Sequence, residues 1–190
     1  MLQKKTAHLI DHGGKRRNIL GLSAIAAVGI AMLPISTFAQ QQTLKQQLVE
    51  TWLLVSAETT NADGTKFMPF GKNPKGTVVF DATGHFLSLN IDPTMPKFAS
   101  NNRKTGTVDE DKAVVTMSIG LMGTYTVDET GKTILQHVDA STYPNWNGQD
   151  QKRPITSLTS DGLSYTTLAP STGAGTTALV FKRAAAGAIN

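Results

Sequence analysis

The chain has 190 residues, of which 18 are Lys or Arg, 14 are Asp or Glu and none is Cys. Residues 1–39 contain five of the basic residues and one of the acidic ones, so the other 151 carry 13 of each sign and no formal net charge. This balance removes the electrostatic argument for nucleic-acid binding. The missing cysteines exclude disulfide bonds and cysteine-ligated metals, and the length suits one domain behind a leader.

The first 39 residues have the organisation of a secretory signal peptide. Arg16 and Arg17 precede an apolar run over 19–35, and Thr37-Phe38-Ala39 supplies small residues at the two positions that a signal peptidase reads. We expect cleavage after Ala39 and export to the periplasm or the medium, by the general route or, given the arginine pair, the twin-arginine route. A retained membrane anchor is the alternative, but Pro34 and the adjacent cleavage signal argue against it.

The remaining sequence predicts a lead-in helix over 40–48 followed by an antiparallel sheet. Twenty-three of these 151 residues are Thr, and β-branched residues alternate with others in successive segments. Four polar sequences ending in Gly, typical of hairpin turns, separate the segments: Asn61–Gly64, Asp81–Gly84, Asp128–Gly131 and Thr159–Gly162. Turns this short favour a meander over parallel strands with crossover helices.

The alternation also predicts which residues share a face of the sheet. Over 51–60, one predicted face holds Leu53, Val55 and Ala57, and the other holds Trp52, Leu54 and Ser56. Over 85–91, one predicted face holds His85, Leu87, Leu89 and Ile91, and the other holds Phe86, Ser88 and Asn90.

Two segments interrupt the strand pattern. Residues 93–107 contain two prolines and read as a long loop, and residues 109–118 begin with three acidic residues and continue at near-helical spacing. We expect a short helix over 109–118, although Val114 and Val115 make a strand the alternative. Residues 176–182 predict a closing strand, and residues 184–190 a flexible tail.

An all-β fold follows from these elements. A meander leaves two unpaired edges, which closure into a barrel removes, and eight strands leave an interior that side chains or one small ligand can fill. We therefore predict a closed antiparallel up-and-down β-barrel of about eight strands with one or two short helices.

Four segments, in order along the chain, carry a resemblance to a known family. They are Trp52–Ser56, Pro69–Gly76, Gly123–Asp128, and His137 through Pro144–Gly148 to Arg153. In these segments the sequence resembles the lipocalin-like domain family of bacterial and fungal proteins, over a domain at 49–183. The resemblance implies a small β-barrel with room for a small apolar ligand.

Five residues are candidates for a site, each with an ordinary structural alternative. His137 and Tyr125 are weak catalytic candidates: an imidazole titrates near neutral pH, but His137 equally suits a hydrogen bond to a neighbouring strand, and Tyr125 ordinary packing. Trp146 can cap an apolar cavity or close the barrel, and Asn145 can bind ligand or support a turn. Arg153 can hold a ligand carboxylate or pack across a Trp face.

Other chemistries lack their sequence signals. Beyond the leader the chain has two histidines, His85 and His137, too few for a three-histidine zinc site, and no Gly-x-Ser-x-Gly elbow or phosphate-binding glycine loop is present. We expect no metal and no cofactor.

The leading hypothesis is an exported barrel that binds a small, largely apolar molecule. A cofactor-free isomerase or cyclase using His137 with Tyr125 or Arg153 is one alternative, and a partner-binding or structural barrel with a filled interior is another.

Overall fold

The fold was determined as a computed structural model, which describes residues 42–185. The predicted signal peptide over 1–39 and residues 186–190 of the predicted tail lie outside this range. Within it, the secondary structure consists of the helices α1 (Leu44–Leu48) and α2 (Val108–Met117), the 3-10 turn Pro144–Trp146, and nine strands: β1 (Glu50–Asn61), β2 (Lys66–Phe67), β3 (Lys75–Phe80), β4 (His85–Ile91), β5 (Ser118–Asp128), β6 (Thr133–Ser141), β7 (Gln149–Leu158), β8 (Gly162–Thr167) and β9 (Gly175–Arg183).

Eight of the strands form the predicted closed barrel. Strands β1 and β3 to β9 pair antiparallel in chain order, and β9 returns to pair with β1 from Trp52 opposite Arg183 to Asn61 opposite Gly175. The two-residue β2 pairs with β1 only near its C-terminal end, at Thr59 and Thr60. Every strand of the barrel therefore pairs antiparallel with its neighbours, and the meander that the turn signals predicted is confirmed.

The predicted helix near 109–118 is confirmed as α2. Its first turn is fixed by a capping box, in which Thr107 Oγ1 accepts from the Glu110 backbone N–H and the Glu110 carboxylate accepts from the Thr107 N–H. Three acidic residues in that turn add a favourable interaction with the helix dipole. Capping and charge outweigh the β-preference of Val114 and Val115. None of the described helices is long and apolar enough to span a membrane.

Helix α1 covers one end of the barrel. Leu48 is fully buried, and its carbonyl accepts a hydrogen bond of 2.9 Å from Trp52 Nε1. The Glu129 carboxylate, in the turn after β5, accepts from the backbone N–H groups of Leu44 and Lys45 and so fixes the start of the helix. This end is filled by large apolar side chains, among them Trp52, Phe80, Ile134, Leu163 and Phe181. We call it the closed end.

The opposite end of the barrel has a polar interior. The buried polar side chains lie on its inward faces: Thr59, Ser88, Asn90, Gln136, Gln151, Arg153, Thr167 and Thr177. We call it the open end, because its strands connect through the longer segments 68–74, 92–107 and 168–174.

The predicted faces hold in β4 and shift in β1. Phe86, Ser88 and Asn90 point inward together, leaving Leu87 and Leu89 outside with 48% and 41% of their surface exposed. In β1 a bulge between Leu54 and Ser56 adds a residue, so the regular alternation predicted over 51–60 is wrong. Ala57 points inward with Trp52 and Leu54 while Val55 is exposed, because a bulge reverses the facing of every residue after it.

Candidate functional site

A cavity of about 50 Å³ lies inside the open end of the barrel and is partly open to solvent. Its apolar wall includes Phe70, Ile119, Leu121 and Leu179, and its polar wall includes Ser88, Asn90, Gln136 and Thr167. The lining comes from six strands, β4 to β9, from the 3-10 turn, and from the segments after β2 and β8. The site is therefore built mainly on the rigid wall, with loops only at its mouth.

Arg153 is the charged residue of this lining. The alternation of β7 points Gln151 and Arg153 inward, and only 3% of the Arg153 surface is exposed. Its Nη1 group donates to Gln151 Oε1 at 3.2 Å and, at 3.4 Å, to the Lys152 carbonyl. No carboxylate of residues 42–185 lies within 4 Å of the guanidinium. Burial consequently lowers the pKa of Arg153 from its ordinary value.

Trp146 contacts Arg153 at the mouth of the cavity. The 3-10 turn begins at Pro144, whose ring presets the backbone angle, and brings Trp146 back over the barrel. The Arg153 guanidinium carbon lies 5.6 Å from the centre of the Trp146 ring, and the Tyr143 ring meets that indole edge-on with centroids 5.6 Å apart. Both residues line the cavity, so the structure brings together these two of the five predicted site residues.

Tyr165 and Asn90 are lining residues that the sequence analysis did not single out. Tyr165 is buried on β8 and stacks on Phe181, and burial raises its pKa to about 12 although the nearby Arg153 guanidinium acts in the opposite direction. Asn90 Oδ1 is buried and has no hydrogen-bond partner among residues 42–185, and it packs against Gly76, where a Cβ atom would lie 2.5 Å from it. The available signal was the inward face of β4, whose Ser88 and Asn90 are unusual residues for a filled core.

The other three predicted residues lie away from this cavity. Tyr125 is buried nearer the closed end, where its hydroxyl donates to the Asp81 carbonyl at 2.8 Å and its ring packs edge-on against Phe80. Burial and the Asp81 charge raise the pKa of Tyr125.

His137 points outward from β6. Its Nδ1 lies 2.8 Å from an Asp150 carboxylate oxygen, and its Nε2 lies 3.9 Å from Asp139. Asn145 is also exposed, and its amide donates to the Tyr143 hydroxyl at 3.2 Å. His137, Tyr125 and Arg153 therefore do not converge, and the arrangement required for the isomerase or cyclase alternative is not formed.

A second depression lies on the outer surface of the barrel. It has a volume of about 250 Å³ and lies among Val79, Leu87 and Met122, with Asp81 and His85 at its rim. In register, Leu87 is opposite both Val79 and Met122, so these side chains form one apolar row across three strands. Within residues 42–185 no group of three or more His, Cys, Asp or Glu side chains is arranged to hold a metal ion.

Comparison with known proteins identifies the family. The model of the lipocalin-like domain matches residues 49–184. The chain belongs to the lipocalin-like domain family. No curated protein matches the chain. Among solved structures, it is similar to a redesigned β-barrel with 16% sequence identity and a TM-score of 0.40, over 76% of this chain and 98% of that one.

The cavity of this lipocalin-like barrel combines one charged group, several polar groups and an apolar wall. The cavity offers a fixed cation, an indole face, amide groups and hydroxyls beside an apolar wall. Such a set can orient a small molecule that has one polar end and one apolar end, because the polar groups fix direction and the apolar wall contributes burial.

Proposed function

We propose that the protein is an exported lipocalin-like barrel that binds a small amphipathic molecule in the cavity of its open end. The observation that carries the proposal is the division of the interior. Large apolar side chains pack the closed end, whereas the open end keeps buried polar side chains around unfilled space. Buried polar groups weaken a core unless they have partners, so their concentration around one cavity is typical of a binding site. The predicted export signal over 1–39 supports a role outside the cytoplasm.

The cavity limits the ligand that it can enclose. A cavity needs about 10–15 Å³ to hold one water molecule. The cavity of about 50 Å³ therefore encloses roughly four water-sized groups. A larger ligand extends through the mouth between Phe70, Trp146 and Pro170. The proposed ligand is therefore small or elongated, and it is more polar than the largely apolar molecule that the sequence predicted.

Tryptophan fluorescence tests the proposal, because the chain has two tryptophans in contrasting places. Trp146 lines the cavity and Trp52 is fully buried beside α1. In a Trp52→Phe variant, addition of small amphipathic molecules should shift the emission of Trp146 and protect it from acrylamide. The matched Trp146→Phe variant, which reports Trp52, should show no response.

Native mass spectrometry of protein purified from its own compartment supplies the second measurement. A co-purifying small molecule that is lost in the Trp146→Ala variant is expected. If no ligand co-purifies and no compound perturbs Trp146, the binding proposal is wrong.

A structural or partner-binding barrel is the second candidate. Its support is the cavity volume, since about 50 Å³ is well below the roughly 300 Å³ at which small-molecule pockets usually begin. For this candidate the open end carries no ligand, and the Trp146→Ala variant changes stability alone.

A further inference from the structure

We infer that the ligand is a monocarboxylate whose carboxylate group is bound by Arg153. The inference rests on the proposed function and names the chemical class that the cavity selects. It depends on three observations: the unpaired charge of Arg153, the single charge in the lining, and a second Arg–Trp pair elsewhere in the barrel.

Within the part of the chain that the structure describes, the guanidinium of Arg153 lacks a counter-charge and has unused donors. A guanidinium carries five N–H donors, and the two contacts of Arg153 both involve Nη1. The Nε and Nη2 groups remain, and they form the fork that binds the two oxygens of a carboxylate side by side. Since charged groups are seldom buried without a partner, an anionic ligand is the partner that this site lacks.

The net charge of the lining selects a single negative charge. Among the lining residues of the cavity, all within the described range, Arg153 is the only charged one. A carboxylate neutralises it, whereas a phosphate dianion would leave a buried excess negative charge. The wall of Ile119, Leu121 and Leu179 then suits the carbon chain that a carboxylic acid carries behind its head group.

The closed end contains the same arrangement with its anion present. Arg183 lies over the Trp52 ring, 4.7 Å from its centre, as Arg153 lies over Trp146. The Arg183 guanidinium forms a salt bridge with Glu50 of the neighbouring strand. Each end of the barrel thus stacks an arginine on a tryptophan, but only Arg183 receives a carboxylate from the described residues. At the open end, the ligand takes the place that Glu50 has at the closed end.

The test compares an acid with its neutral amide on the full protein. Butanoate and butanamide differ in charge and hardly in shape. Each is titrated in the millimolar range at constant ionic strength with chloride, and the Nε–H signal of Arg153 is followed by NMR together with Trp146 fluorescence. We expect butanoate to bind roughly tenfold to a hundredfold more tightly than butanamide, since hydrogen bonds between charged groups are the stronger ones.

Two matched variants separate the charge of Arg153 from the effect of losing an arginine. Arg153→Met should remove the preference for butanoate, while Arg183→Met should keep it. Arg153→Lys, which keeps the charge but not the fork, should bind butanoate with intermediate affinity. Circular dichroism establishes that each variant is folded. The comparison of butanoate with butanamide on the wild-type protein does not depend on the variants.

Each contrary result has a distinct meaning. Equal affinity for the acid and the amide would overturn the carboxylate inference and leave small-molecule binding intact. Tighter binding of inorganic phosphate than of butanoate would also overturn it. Binding of neither butanoate nor longer-chain carboxylates, while neutral compounds still perturb Trp146, refutes the inference alone. Failure of every compound to perturb Trp146 refutes the proposed function as well.

Discussion

Replacement of Arg153 by Met should make the ligand-free protein more stable. Arg153 is 3% exposed and its guanidinium has no carboxylate partner among residues 42–185, so folding takes an uncompensated cation largely out of water. The effective penalty for burying an ion is several kcal/mol, and the adjacent cavity, which has room for water, places Arg153 at the low end, about 3–4 kcal/mol. Methionine retains much of the apolar stem and carries no charge.

The contacts that the substitution removes offset part of this gain. The stacking of Arg153 on Trp146 contributes about 0.5–1 kcal/mol, and the 3.2 Å hydrogen bond to Gln151 about 1–2 kcal/mol. The remainder is an increase of about 0–2.5 kcal/mol in the free energy of unfolding, centred near 1 kcal/mol, or roughly 3 °C in Tm for a domain of this size.

Urea unfolding followed by circular dichroism measures this difference, with Arg183→Met as the control. Arg183 has its counter-charge in Glu50, so its replacement should lower stability. If Arg153→Met instead destabilises the protein by more than about 1 kcal/mol, the guanidinium is satisfied in the folded state and the reasoning fails.

Three further predictions concern other parts of the barrel. Trp52→Ala should lower the free energy of unfolding by about 3–5 kcal/mol, because Trp52 is fully buried, and Trp146→Ala by only about 1–2 kcal/mol, as measured by urea unfolding; equal losses would contradict the different placement of the two residues. The pKa of Tyr165 is raised to about 12 from 10.0, so its contribution to stability is present below pH 10 and is lost as the pH rises towards 12. Alkaline unfolding should be less steep in Tyr165→Phe, and an unchanged profile would contradict the burial of that phenol. Hydrogen bonds from the His85 N–H and the Thr83 hydroxyl lower the pKa of Asp81. Its contribution is therefore present above its ordinary value near 4 and is lost as the pH falls through the folded value, so Asp81→Asn should flatten the acid side of the stability profile.

The fold could be predicted because its signals are local. Turn residues such as Asp81–Gly84 act within four positions, and the capping box of Thr107 and Glu110 acts within one helical turn. The eight-stranded closure then follows from the need to remove edges. The bulge in β1 was missed because nothing in Leu54–Ser56 marks an extra residue.

The site could be predicted only in part. The alternation of residue types along a strand shows which residues share a face, but it does not show which face points into the barrel. His137 shares its face of β6 with Leu135 and Asp139, and that face is the outer one. In β4 the leucines are outside and Ser88 and Asn90 inside, against the usual preference. The inward polar residues line the cavity, and the outward leucines pack in a row with Val79 and Met122. The inward position of polar residues in β4 depends on where the cavity lies, and no local sequence pattern indicates that position.

The pairing of β9 with β1 also fixes the order in which the chain can finish folding. Strands β3 to β8 each pair with the next strand along the chain, but Trp52 meets Arg183 only after about 130 intervening residues have been made. Contacts of this sequence separation slow folding. In a nascent chain the hydrogen bonds between successive strands therefore form before the pairing of β9 with β1. A product that stops before residue 175 leaves unpaired edges at β1 and β8, which are available to strands of other molecules. Strand β9, the last nine residues of the barrel, therefore protects both edges of the sheet from aggregation once it has been synthesised.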